Sequence, residues 1–151
     1  MRVWLLVIGL AACEKSAPAP APEPAPPDRD LVLSTLAADM VTYTERLPGI
    51  LLEFDGDCPA HATRLLTLET LVSSIRTRSG ALSPEEMGRV RERIAARKTE
   101  IFAKLDAQLA EKHATRADVE AKDAAIKTAC ANEPKVKDAM DRVGLFTKKA
   151  P

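Results

Sequence analysis

The sequence of 151 residues predicts an all-α protein, a small helical bundle of about four helices behind a disordered Pro/Ala-rich N-terminal linker. Three observations carry this. Apolar residues recur at spacings of three and four in at least three segments, which marks one face of a helix. Serine, threonine or aspartate stands just before several of them, with proline or an acid where a first helical turn wants one. No segment alternates apolar and polar residues with the β-branched content of a strand.

The chain begins with a basic start, Met1-Arg2, and an unbroken apolar run over residues 3–10 (VWLLVIGL). A run of about eight residues is too short to cross a hydrocarbon core of roughly 30 Å, but it suits a signal-peptide core. Leu10-Ala11-Ala12-Cys13 then resembles the lipobox of bacterial lipoproteins, a resemblance confined to residues 1–13. It implies a signal peptide over residues 1–12, cleavage between Ala12 and Cys13, and a covalent lipid on Cys13, with diacylglycerol on the thiol and an acyl chain such as palmitate on the new amino group. Two or more chains make such anchoring stable. In that family aspartate after the cysteine retains a protein in the inner membrane. Glu14 stands there instead, so the resemblance implies the outer membrane, with the protein facing the periplasm.

Residues 13–27 form the linker. Alanine alternates with proline (APAPAPEPAPP), each proline fixes φ and removes an amide donor, and the segment is expected to be polyproline II-like. At roughly 3.1 Å per residue it spans about 40 Å. It serves as a spacer or, alternatively, as a ligand for a proline-binding partner.

The helical domain is expected over residues 28–147, with 148–151 as a tail. Leu33, Leu36, Met40, Tyr43 and Leu47 form the first face, and Asp28 or Asp30 can cap it. Pro48-Gly49 either kinks this helix or ends it. Ile50, Leu51, Leu52 and Phe54 precede the turn Asp55-Gly56-Asp57. A second helix starts at Asp57 with Pro59 in its first turn, buries Leu65, Leu68, Val72 and Ile75, and ends at Gly80. The third start, Ser83-Pro84-Glu85-Glu86, is a capping box. Met87, Val90, Ile94, Ile101, Leu105 and Leu109 follow on one side, with Glu85–Arg89 and Glu100–Lys104 as i,i+4 pairs. Beyond Leu109 either Thr115 caps a new helix or the third runs on as a solvated rod. Ile126 and Cys130 restore an apolar face, and Asn132-Glu133-Pro134 opens a short last helix bearing Val136, Met140 and Val143.

Composition restricts function. Lysine plus arginine equals aspartate plus glutamate at 22 each, and aromatics make up 3%. A neutral chain poor in stacking residues offers no case for nucleic acid or for a carbohydrate cleft. Lipidation consumes Cys13, which leaves Cys58 and Cys130 to pair as a disulfide in an oxidising compartment. Cys58 opens the second helix, so Cys130 must return to that same end of the bundle, which a full reversal near His113 does not obviously achieve.

Other chemistries are poorly supplied. Cys58-Pro59-Ala60-His61 with Cys130 gives three weak metal ligands where zinc wants four, or three and water. His61, at a helix start, reads as a surface or capping residue. Glu53, Asp55 and Asp57 lack calcium-loop spacing and read as a turn. Met40 and His113 could in principle serve as haem ligands, but no Cys-x-x-Cys-His is present for attachment and Met40 already belongs to the apolar face. Ser73, Ser74, Ser79 and Ser83 have no suggestive catalytic partner. No catalytic residues, metal or non-covalent cofactor are therefore expected.

The preferred function is a lipid-anchored, non-enzymatic interaction or scaffold module of the bacterial cell envelope, attached to the membrane through its lipid and meeting an envelope protein partner. The alternative is a periplasmic chaperone or a stress- or metal-sensing helical protein. Leu82-Ser83-Pro84-Glu85-Glu86 weakly resembles the Leu-Thr-x-x-Gln helix starts of small periplasmic chaperones, with Ser and Glu replacing Thr and Gln. An exposed concave apolar surface would favour the chaperone, a fully closed core the scaffold, and an enclosed pocket a third possibility, a ligand-binding bundle.

Overall fold

The computed structural model describes residues 28–144. The expected signal peptide, lipobox with Cys13 and linker, and residues 145–151, lie outside the described residues. Within them the chain is helical, with no strand. Seven helices follow in order: α1 Arg29–Leu52, α2 Cys58–Leu66, α3 Glu69–Gly80, α4 Pro84–Ala96, α5 Lys98–Glu111, α6 Arg116–Ala129 and α7 Pro134–Val143. The expectation of about four helices is corrected to seven.

Two of the extra boundaries are breaks within expected single helices. At Thr67 and Leu68 the amides bond three residues back, to Arg64 and Leu65, at 3.1 and 3.0 Å. The Thr67 hydroxyl also donates to the Arg64 carbonyl at 2.7 Å. A hydroxyl competing for a helix carbonyl favours such a tight turn. The second break falls on Arg97, whose φ of −103° and ψ of 7° leave the helical region and separate α4 from α5. Elsewhere the capping residues act as their types predict. Asp28 accepts from the Asp30 amide, and Asp57 from Ala60. Ser83 with Glu86 and Thr115 with Asp118 form reciprocal capping boxes. Thr115 thus starts a new helix, and the solvated-rod alternative falls away. Pro48 lies inside α1, which continues through it to Leu52.

α1 is the central strut and packs against each of α2 to α6, while α7 rests on α2 and α3. Its expected face is the one buried: Leu33, Leu36 and Tyr43 are enclosed, and Met40 and Leu47 pack half-buried against them. Leu65, Leu68, Val72, Ile75, Val90 and Ile126 meet this face in one continuous cluster. Val41, Ile101, Leu105 and Leu109 are also buried but stand apart from that cluster.

Ion pairs run between helices around the outside. The expected Glu85–Arg89 pair forms at 2.8 Å. The expected Glu100–Lys104 pair does not: Lys104 reaches Glu45 on α1 at 2.8 Å, and Glu100 takes Arg97 instead. A tertiary partner with a more enclosed carboxylate has displaced the local one.

Candidate functional site

The chemistry-bearing residues gather where α1 ends and α2 begins. Gly56 takes φ of +102°, a conformation that residues with a side chain rarely adopt, and turns the chain between the two helices. The Asp55 carboxylate accepts the Asp57 amide at 3.1 Å and Arg64 Nη2 at 3.3 Å. These two bonds, the amide first, hold its pKa below the ordinary aspartate value. Arg64 Nη1 also donates to the Glu53 carbonyl at 2.7 Å. Asp57 caps α2, and the Glu53 carboxylate meets Lys112 at 3.1 Å. Each acid of the segment therefore has a structural partner, and the arrangement is a turn.

Cys58, the first residue of α2, stands opposite Cys130, which ends α6. Their sulfurs are 2.00 Å apart and their Cα atoms 5.7 Å apart, within the span of a disulfide. The chain achieves the return that the sequence left in question. His113, at φ of +54°, reverses direction after α5, and α6 runs back along α1 to the start of α2. With the sulfurs bonded, neither cysteine offers a thiolate to a metal. Among the described residues no three His, Cys, Asp or Glu side chains come together as a metal-holding group.

His61 corrects an expectation. It is fully buried rather than a surface or capping residue. Its ring meets Phe54 edge to face, with centroids 5.3 Å apart and planes at 72°. Neither ring nitrogen has a hydrogen-bond partner. Burial, and secondly the Arg64 charge, lower its pKa below the ordinary value, with Asp55 opposing. A signal for this existed in the sequence: His61 stands four residues before Leu65, in phase with the stripe that continues to Leu68, Val72 and Ile75.

The remaining residues stay separate. Glu53–Lys112 places His113 near the C-terminal end of α1, whereas Met40 lies thirteen residues earlier on the chain, about 20 Å along the helix. His113 is exposed and Met40 belongs to the apolar face, so the two do not form an axial pair. Ser83 is a helix cap, and the Ser79 hydroxyl donates to the Arg76 carbonyl. The site is thus a covalently closed corner around a neutral, enclosed imidazole. No protein-family model, curated protein or solved structure matches this chain.

Proposed function

We infer that the chain is a lipid-anchored, non-enzymatic helical interaction module of the bacterial cell envelope, facing the periplasm and held at the outer membrane. The observation that carries this reading is the Cys58–Cys130 pair at disulfide distance, which suits an oxidising compartment. It complements the lipobox Leu10-Ala11-Ala12-Cys13, which supplies the anchor. Among the described residues Leu31 is the only large hydrophobic side chain that is exposed. The described surface thus carries no broad apolar patch of the kind a chaperone presents to its clients, which favours a scaffold.

The test is acylation and location. In cells fed a palmitate analogue, the wild-type chain is expected to incorporate label and fractionate with the outer membrane. Cys13→Ser is expected to do neither, and crosslinking in intact cells is expected to trap an envelope protein on the wild type. An unlabelled wild type, or identical fractionation of the two proteins, overturns the reading.

A further inference from the structure

Between Met87 and Leu109 the apolar positions keep step as far as Ile94 and resume at Ile101. The turn between holds Arg97 and Lys98, and there the chain breaks between α4 and α5. With only the small side chains of Ala95 and Ala96 as apolar groups in that turn, a groove of about 330 Å³ opens against α1. Val41 and Thr44 contribute from α1, Ile94 and Ala95 from α4, and Ile101 and Phe102 from α5. The volume falls at the lower end of small-ligand sites, and the apolar lining is of the usual kind. It also explains why Val41 and Ile101 are buried yet stand apart from the main cluster.

Arg91 and Lys98, both exposed, complete the lining. They differ from the other cations of this stretch. Arg89 is paired with Glu85, Arg93 with Asp30, Arg97 with Glu100, Lys104 with Glu45 and Lys112 with Glu53. Arg91 and Lys98 have no carboxylate partner among the described residues. Lys98 lies 5.6 Å from the centre of the Phe102 ring, and Arg116 lies 4.3 Å from it. The charges left uncompensated along these two helices are thus the two that border the apolar groove.

We propose that this groove binds a single-chain amphiphile with an anionic head, of the fatty-acid carboxylate class. The chain lies along Val41, Ile94 and Ile101, and the head is held between Arg91 and Lys98. A partner helix, about 10–12 Å across with its side chains, is too wide for such a volume. An uncharged lipid leaves both cations unanswered. The inference is independent of where the protein resides.

The purified full chain is photolysed with diazirine-bearing dodecanoate and, separately, with the matching dodecanol, and the adducts are mapped by mass spectrometry. The carboxylate is expected to label the 91–102 region saturably, to be displaced by unlabelled dodecanoate, and to label it roughly tenfold more than the alcohol does. Arg91→Gln/Lys98→Gln, at exposed positions, is expected to reduce carboxylate labelling roughly tenfold and to leave alcohol labelling unchanged. Ala95→Trp, which fills the groove, is expected to abolish both, with helical circular dichroism reporting that the fold persists. Should Ala95→Trp fail to fold, the double variant decides alone. Unsaturable labelling, labelling outside this region, equal labelling by acid and alcohol, or a peptide crosslinked there in place of the probe would each overturn the proposal.

Discussion

The Glu86 carboxylate joins two helix starts: it accepts Arg29 Nε at 2.6 Å and Nη2 at 3.0 Å while also accepting the Ser83 amide at 2.8 Å. One side chain thereby completes the capping box of α4 and ties the first turn of α1 to it. Arg29, and after it the Ser83 amide, lower the Glu86 pKa from 4.5 to about 2. A carboxyl group with a depressed native pKa contributes stability in full above its unfolded value, and the contribution is lost as pH falls toward the native one. Glu86→Gln is therefore expected to be less stable than wild type at pH 6, with a shallower decline between pH 5 and pH 2. Thermal melts across that range check it, and parallel acid limbs would contradict the assignment.

His61 acts on a different pH window. The unfolded imidazole titrates near pH 6.5, and the native one, enclosed against Phe54, takes its proton only at lower pH. Below about 6.5 the unfolded chain binds a proton that the native chain refuses, so stability falls with pH by up to about 1.4 kcal/mol per unit until the native value is reached. His61→Leu is expected to remove that slope. It is also expected to add about 1 kcal/mol at neutral pH, because two unpartnered buried nitrogens disappear. Urea melts at pH 7 and pH 5 measure both effects, and an unchanged slope would count against the enclosed neutral imidazole.

The cysteine pair closes a loop of 72 residues. Removing such a constraint from the unfolded chain costs roughly 4 kcal/mol in the chain-entropy account. The variant Cys58→Ala/Cys130→Ala is expected to lose stability of about this size while keeping its helical far-ultraviolet spectrum, since the apolar cluster does not depend on the bond. Peptide mapping without reductant should recover the two cysteines linked, and free thiols in protein from its native compartment would refute the bond.

Packing sites should differ in how well they heal. Leu68 has no exposed surface and sits in the continuous cluster, whereas Leu105 on α5 is buried outside it. Leu68→Ala is expected to cost about 4 kcal/mol and Leu105→Ala about 2, because the second site can relax where the first cannot. Chemical denaturation gives both values, and the reverse order would show that α5 packs as tightly as the centre.

Helix starts were legible in the sequence where two or three adjacent residues decide them, as at Asp57, Ser83 and Asn132-Glu133-Pro134, whereas Thr115 left a continuous third helix equally open. Interior breaks were not legible. The one at Thr67 is a tight turn in which amides bond three residues back, and the one at Arg97 lies in a single residue's backbone angles. Neither leaves a compositional mark, although the charged turn between Ile94 and Ile101 interrupts the apolar stripe. The burial of His61 was legible in phase but masked by residue type. The preference of Lys104 for Glu45 over Glu100 depends on where α1 lies, which no local pattern encodes.

The covalent ring from Cys58 to Cys130 encloses α2 to α6, and it leaves α1 and α7 outside. α1 is nevertheless the strut on which five helices rest. A mechanical load applied at residue 28 is therefore resisted by side-chain packing and surface ion pairs alone, with no covalent stop behind them. Pulled from that end, α1 parts from the bundle by loss of packing, baring the faces of Leu65, Leu68 and Val72, while α2 to α6 remain looped together and ready to take it back. Pulled from its N-terminal side, the bundle would behave as a latch with a captive body.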